Sequence, residues 1–329
     1  MRKFLNDPER FADEALAGLL LAHADRVRAL PDEPRAIVTV GGTPGQVAIA
    51  TGGGSGHLPL FVGYVVEGYA DGCAVGNMFA SPSTDVMLAV TKAIDRGAGV
   101  FYLYGNYGGD RINFEAAAEF SADFGVEVQT VRWADDILSA PPENAEQRRG
   151  IAGVFLGYTV ASGAARAGGS LAEVAAATRH ALERTRSIGV ALSGPILPTV
   201  GHSNFELAPD EMEIGTGIHG EPGVRRGPLV TVNELVAEMV PQIVAELGIG
   251  TGDQVAVLVN GLGATPPEEL YVLFGSVHGW LSDRGISVRH AFVGEYATSL
   301  EMAGASISVL HLDDVTAPHI AAAAERVRL

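Results

Sequence analysis

Strand-like and helix-like segments alternate along almost the whole chain, and this alternation constrains the fold more than any other feature of the sequence. Short apolar runs typical of buried strands are followed by longer segments whose apolar residues recur with a helical period. Such a chain builds sheets covered by helices, which is the α/β class. The predicted strands are 36–40, 46–50, 100–104, 126–131, 189–192, 213–218, 254–260, 288–293 and 306–312. The predicted helices are one opening at Asp7–Pro8 and the segments 84–96, 113–124, 151–167, 171–186, 232–247, 268–284 and 315–327.

A length of 329 residues is enough for two domains. Two consecutive Ala-rich helical segments at 151–186 separate the earlier strands from the later ones. We therefore predict an N-terminal α/β domain at 1–186 and a C-terminal α/β domain at 187–329.

Charge and hydropathy disfavour nucleic acid and membranes as partners. With 22 Lys and Arg against 39 Asp and Glu, the formal charge is −17, which disfavours nucleic-acid binding. No apolar run approaches the roughly 20 residues that a membrane span needs. Charges and Pro8 interrupt any signal-peptide core at the N-terminus, so a cytoplasmic location is expected. Cys73 is the single cysteine and is expected to be a small buried side chain.

The first candidate motif is the glycine-rich segment 52–57, which ends in His57 and follows a predicted strand. Glycines there let the backbone approach a ligand and direct N–H groups at it. The segment is neither a P-loop nor a dinucleotide fingerprint, and a plain turn without a ligand is the simpler interpretation. We expect the His57 side chain to face the mouth of a site.

The second motif, 106–114, contains Asp110 just after two glycines and a predicted strand. Asp110 is either a helix N-cap or a general base at the carboxyl end of a strand, where open α/β sheets place their sites.

The third motif, 217–223, places His219 between glycine-flanked turns and next to Glu221. It is either a solvated histidine or a nucleophile or proton shuttle, with Glu221 orienting its ring. A metal site formed by His57, Asp110 and His219 is a weaker alternative, because no paired ligand spacing supports it.

Three further segments follow strands or begin helices. In 79–83, Ser81 could line a site, although capping a helix is the simpler role. Segment 260–266 could line a site or turn the chain. Segment 298–304 is predicted to be a helix with a hydroxyl-rich start.

Taken together, these motifs resemble the substrate-binding (K) subunit of dihydroxyacetone kinases. The motifs that carry the resemblance are GGGSGH at 52–57, FASPS at 79–83, GDRINF at 109–114, EMEIGTGIHGEPG at 211–223, NGLGATP at 260–266 and ATSLEMAG at 297–304. They occur in the family's order and cover about residues 50–313. The resemblance implies two α/β domains with mixed sheets flanked by helices.

The resemblance also implies an activity. The family captures short ketoses such as dihydroxyacetone as a hemiaminal on the histidine that corresponds to His219. Asp110 would be the base near the reacting hydroxyl, and His57 would bind the substrate and assist proton transfer. Backbone N–H groups of Gly53 and Gly54, with Ser81, would complete the pocket.

The family's nucleotide implies a partner. ATP or ADP with Mg is held by a separate helical (L) subunit, and we expect no cofactor or metal in this chain. The phosphoryl donor would be ATP, or an ADP recharged by a phosphoenolpyruvate-dependent protein. The family is commonly homodimeric.

The sequence departs from the family pattern at three positions. Leu58 replaces a usual Glu, Gly105 a usual Lys and Asn77 a frequent Asp. We expect each change to remove a charge near the site, which would either admit a longer ketose such as a tetrulose or reflect a changed partner surface.

Two other functions share parts of this pattern. A ketone-binding regulator without kinase activity would keep the same histidine, and the presence of Asp110 and His57 favours catalysis over it. An unrelated dinucleotide-binding enzyme would need an acidic residue after a proper fingerprint, which the sequence lacks.

Overall fold

The computed structural model describes residues 3–323. In that range, twelve strands form two six-stranded sheets, with eight α-helices packed around them. The strands are β1 (Val27–Leu30), β2 (Glu33–Thr39), β3 (Ala48–Ser55), β4 (Gly72–Met78), β5 (Val100–Gly105), β6 (Val128–Trp133), β7 (Thr185–Ala191), β8 (Glu211–Ile214), β9 (Arg225–Pro228), β10 (Gln254–Gly261), β11 (Ser287–Gly294) and β12 (Gly304–His311). The helices are α1 (Phe11–Ala22), α2 (Thr84–Ile94), α3 (Gly108–Ser121), α4 (Val154–Arg166), α5 (Leu171–Glu183), α6 (Val232–Leu247), α7 (Pro267–Ser282) and α8 (Ala317–Ala323).

The first sheet has the strand order β1-β2-β4-β3-β5-β6. Strands β4, β3, β5 and β6 are parallel, whereas β1 and β2 run antiparallel to their neighbours. The carboxyl ends of β4, β3 and β5 therefore lie side by side at one edge, where α/β sheets commonly place ligand sites.

The second sheet has the order β11-β10-β12-β7-β8-β9. Only the β10–β11 pair is parallel among these strands, and the other four pairs are antiparallel. Both sheets are thus mixed and flanked by helices, and the predicted α/β class is confirmed.

Helix α4 connects the two sheets through packing. Twelve of its thirteen residues are buried. Its Tyr158 hydroxyl is hydrogen-bonded to Thr51 of β3, while the Phe155 ring packs on Phe292 of β11 at 5.0 Å between centroids. One hydrophobic cluster consequently contains residues of both sheets. The division into domains at residue 187 stays a prediction, since two sheets that share a cluster do not decide it.

The nine predicted strands all overlap observed ones, but β1, β4 and β9 were missed. Strand β4 contains two glycines and β9 reads Arg-Arg-Gly-Pro, so neither shows the apolar run or the alternation by which strands are recognised. The predicted helix at 315–327 is observed as α8 up to Ala323, and 324–327 lie outside the described residues.

The predicted helix at 298–304 is wrong, because this segment is a turn that binds the end of β3. The Thr298 and Leu300 amides donate to the carbonyl oxygens of His57 and Gly56 at 3.2 and 2.8 Å. Leu300 has φ +53°, which an α-helix does not allow. The backbone amides that would donate within a helix donate instead to the carbonyl oxygens of residues 56 and 57, and so attach this turn to the segment that contains His57.

None of the helices in residues 3–323 is long and apolar enough to span a bilayer.

Candidate active site

Three loops of the first sheet and one of the second meet at the carboxyl ends of β4, β3 and β5. His57 follows β3, Phe79 follows β4, and Asp110 lies in the first turn of α3 after β5. His219 comes from the connection between β8 and β9. Its ring lies 4.7 Å from the His57 ring, centroid to centroid, at an interplanar angle of 78°. The structure thus brings together the residues that the sequence singled out separately.

The His219 ring is oriented by Glu221, two residues further along the chain. One Glu221 oxygen accepts from the His219 backbone N–H at 2.8 Å, and the other lies 3.1 Å from Nδ1. Burial alone would raise the pKa of Glu221, but hydrogen bonds from His219 outweigh it and lower the pKa to about 2. A carboxylate on Nδ1 keeps the proton there and leaves Nε2 as the bare nitrogen with its lone pair.

His57 is almost fully buried, with 1% of its surface exposed. Its Nδ1 lies 2.8 Å from the Thr298 carbonyl oxygen, which can only accept, so Nδ1 carries the hydrogen. The ring stacks on Phe79 at 4.8 Å and 19°. Burial, followed by the nearby charge of His219, lowers the pKa of His57 to about 3. His57 is therefore neutral and presents Nε2 as an acceptor, a buried atom without a hydrogen-bond partner in residues 3–323.

Asp110 is the third residue of α3, and its predicted N-cap role is wrong because Tyr107 holds that position. Burial raises the pKa of Asp110 to about 6, opposed by a hydrogen bond from Ser81 and by the charge of His219. Its Oδ1 is buried and has no partner among the described residues. A carboxyl group with this pKa changes charge close to neutral pH, as a general base should.

Gly53 and Gly54 belong to β3 itself rather than to a loop after it. A Cβ on Gly53 would lie 2.2 Å from the Phe61 ring, and one on Gly54 would lie 2.6 Å from the Ala80 nitrogen. Close packing within the protein therefore explains why these positions are glycine. Their role as N–H donors to a substrate stays a prediction.

Ser81 lies next to the site. Its hydroxyl accepts from Asn113 Nδ2 at 3.2 Å and can donate to the Asp110 carboxylate or, at 3.2 Å, to the Pro82 carbonyl oxygen. The helix-capping role proposed for this segment belongs to Ser83, whose side chain accepts from Val86 N of α2.

Two aromatic residues that the sequence did not single out enclose His219. The ring centroids of Phe79 and Tyr107 lie 5.2 and 4.7 Å from the imidazole centroid. Phe79 adopts φ +54°, a conformation that a bulky residue keeps only where its surroundings impose it. Phe79 and Tyr107 both lie within motifs noted in the sequence, but nothing in a single sequence shows that their rings contact His219. They cover part of the His219 ring, whose side chain remains 22% exposed.

The sequence also matches a known domain model over most of its length. The Dak1 domain model matches residues 17–328. The chain belongs to the Dak1 domain family.

Curated relatives of this Dak1 chain include dihydroxyacetone-binding subunits and erythrulose kinases. The PTS-dependent dihydroxyacetone kinase 2, dihydroxyacetone-binding subunit DhaK of Listeria innocua is 42% identical over 316 residues, which cover 95% of each chain. The D-erythrulose kinase of Mycolicibacterium smegmatis is 41% identical over 325 residues, covering 99% of this chain but 56% of that protein. Relatives of similar identity thus include one of equal length and one nearly twice as long.

Solved structures agree with this assignment. The dihydroxyacetone kinase of C. freundii matches with a TM-score of 0.86 and 31% identity, over 97% of this chain and 58% of that one. The dihydroxyacetone kinase operon co-activator matches with a TM-score of 0.85 and 30% identity, over 92% of both chains.

The three departures from the family pattern do not share one location in this Dak1 chain. Asn77 accepts from Arg35 at 2.7 Å in an exposed position in β4. Leu58 lines an apolar cavity of about 350 Å³ beneath α1, whose lining contains neither His57 nor His219. At Gly105, by contrast, a Cβ would lie 3.1 Å from the Tyr107 ring that contacts His219. Gly105 is therefore the departure that adjoins a ring contacting His219, and the effect of all three changes on the pocket stays a prediction.

No cluster of three or more His, Cys, Asp or Glu side chains arranged to hold a metal occurs in residues 3–323. Cys73 is buried in β4, and burial raises the pKa of its thiol far above the usual range.

Proposed function

We propose that this chain is the ketose-binding subunit of a kinase and that it captures dihydroxyacetone or a related short ketose, such as erythrulose, on His219. One observation carries the proposal: His219 presents its bare Nε2 beside two buried acceptors, His57 Nε2 and Asp110 Oδ1, that have no partner in the described part of the chain. Buried polar atoms are nearly always hydrogen-bonded, so an unpaired pair at one place indicates a polar ligand.

Capture begins when the Nε2 lone pair of His219 adds to the ketose carbonyl carbon and forms a C–N bond. The carbonyl π electrons move to oxygen, which takes up a proton from the solvent, while the ring keeps its Nδ1 proton and becomes cationic. The product is a hemiaminal whose positive ring is paired with the Glu221 carboxylate, and no water leaves. An alcohol without a carbonyl cannot form it, so the site discriminates ketoses from polyols.

Phosphoryl transfer then requires a fixed terminal hydroxyl and a base. Asp110 accepts the hydroxyl proton, and His57 Nε2 accepts a hydrogen bond that orients the bound triol or tetrol. Backbone N–H groups of Gly53 and Gly54, together with the Ser81 hydroxyl, complete the contacts.

The phosphoryl group has to come from outside this chain. We propose that a partner nucleotide-binding L subunit holds ATP, or an ADP recharged by a phosphoenolpyruvate-dependent protein, together with Mg. The names of the relatives support such an assembly, since several are PTS- or PEP-dependent subunits. A homodimeric state and a cytoplasmic location belong to the same proposal.

The test is intact-protein mass spectrometry under gentle conditions with dihydroxyacetone, erythrulose or glycerol. We expect an added mass equal to the whole ketose for either ketose and none for glycerol. His219→Ala should lose the adduct, whereas His202→Ala, which removes an exposed loop histidine, should keep it. The ratio of the two ketose adducts at equal concentration identifies the preferred substrate. Absence of an adduct with both ketoses on the wild-type protein would refute covalent capture by His219.

A second candidate function is supported by the structural match to the operon co-activator, which has about the same TM-score as the kinase. A ketone-binding regulator would also form the adduct. Mixing the chain with a purified L subunit, ATP and Mg separates the two, because only the kinase subunit yields a phosphorylated ketose.

A further inference from the structure

Arg149 lies between the two halves of the molecule, in the loop that precedes α4. Its Nε and Nη2 donate to one oxygen of Asp136, at 3.0 and 2.7 Å. Nη2 also donates to the carbonyl oxygen of Gly215, at 2.7 Å. Asp136 follows β6 of the first sheet, and Gly215 follows β8 of the second. One guanidinium group therefore ties the His219 loop to the half that carries His57 and Asp110.

On the side of the first half, Asp136 is held in place by further hydrogen bonds. Asp136 is completely buried, its other oxygen accepts from the Leu138 amide at 3.2 Å, and its own amide donates to the Arg149 carbonyl oxygen at 3.1 Å. The Arg149 amide in turn donates to Ser139 Oγ at 2.9 Å. Both partners of the ion pair are thus fixed by backbone contacts.

On the side of the second half, Arg149 lies next to Glu221, which orients His219. Gly215 has φ +88° and begins the turn that leads to the nucleophile. A Cβ placed on Gly217 would lie 2.2 Å from Glu221 Oε2 and 2.9 Å from Arg149 Nη1. The guanidinium and the carboxylate therefore border the same small space behind His219.

We propose that Arg149 is a positioning residue that, with Asp136, sets the place of the His219–Glu221 pair opposite His57 and Asp110. The proposal rests on the proposed function only for its effect on ketose binding. The orientation of His219 in the ligand-free protein follows from the contacts themselves.

The chemistry requires arginine at this position. A guanidinium fork can bind the Asp136 oxygen and the Gly215 carbonyl oxygen at once, whereas a lysine ammonium is a point donor that lacks this planar geometry. Burial raises the pKa of Asp136 to about 7 although Arg149 opposes the shift. Without Arg149 the pKa of this carboxyl group would rise further, and no hydrogen bond would join it to the Gly215 loop.

The experiment compares Arg149→Met and Arg149→Lys with a matched control, Arg96→Met. Arg96 also donates to a buried carboxylate, Asp71 at 2.8 Å, and to a backbone carbonyl oxygen, that of Gly41 at 3.0 Å, but far from His219. Histidine side chains are labelled with ¹⁵N, and His219 is assigned by the signal missing in His219→Ala. The ring ¹⁵N shifts report the tautomer without ketose, and titration with dihydroxyacetone and erythrulose reports affinity.

We expect the wild-type protein and Arg96→Met to show one His219 tautomer, with the hydrogen on Nδ1. Arg149→Met should show a mixture of tautomers and bind ketose about 10- to 100-fold more weakly, the range expected when a reacting group moves by about 1 Å. Arg149→Lys should fall between the two. It also keeps the test open if Arg149→Met does not fold.

A wild-type tautomer pattern in Arg149→Lys, and in Arg149→Met where it folds, would overturn the proposal. An equal loss of tautomer order in Arg96→Met would also overturn it, since the effect would then reflect stability alone. If the wild-type protein binds no ketose, the proposed function fails, but the ¹⁵N comparison still decides the role of Arg149.

Discussion

At the scale of single residues, the site contains two carboxyl groups, those of Glu221 and Asp110, whose pKa values are shifted in opposite directions by different contacts. Hydrogen bonds from His219 keep Glu221 ionised, with its pKa lowered to about 2 despite burial. Burial dominates at Asp110 and raises its pKa to about 6. The Glu221 carboxylate is thus ionised and orients the His219 ring, whereas the Asp110 carboxyl group can exchange a proton near neutral pH.

Glu221→Gln should weaken ketose capture without preventing folding. The amide oxygen can still accept from Nδ1, but it lacks the charge that strengthens this hydrogen bond and stabilises the cationic ring of the adduct. We expect the dissociation constant for ketose to rise about tenfold, or about 1.4 kcal/mol. Titration followed by intact-protein mass spectrometry measures it. Glu115→Gln, which removes an exposed partner of Arg132, serves as the control and should bind like the wild-type protein.

Asp110→Asn should abolish turnover and yet stabilise the fold above pH 6. The folded pKa of Asp110 is raised, so the ionised form is disfavoured in the native state. The wild-type protein therefore carries a cost that is absent below about pH 4 and complete above about pH 6. Two pKa units correspond to about 3 kcal/mol at most, and we expect about 1–3 kcal/mol.

Denaturant unfolding of both proteins at pH 4.5 and pH 8 measures this difference. The gain in the free energy of unfolding should be present at pH 8 and small at pH 4.5. A variant that is less stable than the wild-type protein at pH 8 would contradict the predicted cost of burying the Asp110 charge. In the wild-type enzyme, the rate of phosphoryl transfer should rise with pH through about 6, as Asp110 becomes a base.

At the scale of elements, β3 ends in glycines because neighbouring segments occupy the positions that their Cβ atoms would take. The Phe61 ring lies where a Cβ of Gly53 would be, and the backbone at Phe79 and Ala80 lies where a Cβ of Gly54 would be. The turn at 298–304 binds the same segment from the second half through the Gly56 and His57 carbonyl oxygens. His57 is consequently held by both halves of the molecule.

Gly53→Ala should destabilise the protein and displace His57. The new methyl group would lie 2.2 Å from the Phe61 ring, so the strand or the ring must move. Overpacking of this kind costs about 1–3 kcal/mol. Gly250→Ala is the matched control, because nothing lies within 4 Å of its Cβ position. Thermal unfolding and ketose titration of the two variants measure the effects, and equal behaviour would contradict the packing argument.

At the scale of the whole molecule, the two sheets share one hydrophobic cluster through α4. The site is divided in the same way, since His57 and Asp110 come from the first half and His219 from the second. Relative movement of the halves would separate the nucleophile from the base. In the proposed function, a shared core therefore holds the nucleophile and the base at a fixed separation.

The two halves should unfold in a single transition. Trp280→Phe leaves Trp133, buried at the end of β6, as the sole tryptophan and a reporter of the first half. Its fluorescence and the far-ultraviolet circular dichroism of the whole chain should show coincident denaturation midpoints. Two separated transitions would show that the halves fold independently.

Much of the fold could be predicted from the sequence because its information is local. Apolar periodicity located nine of the twelve described strands and all eight described helices, since burial of one face imposes that pattern on the residues. It failed at β4 and β9, whose glycines, proline and charges hide the period, and at 298–304, where contacts with the β3 segment outweigh helical preference.

The sequence by itself determined the class of fold, the motif residues and the chemistry available to each, because these depend on residue type and local order. Only the tertiary structure decided that His57 is neutral, that the pKa of Asp110 is raised and that Gly105 adjoins the Tyr107 ring next to His219. Those properties depend on burial and on neighbours distant along the chain. The contact of Arg149 with Gly215, 66 positions apart, belongs to the same class, and a single sequence carries no sign of it.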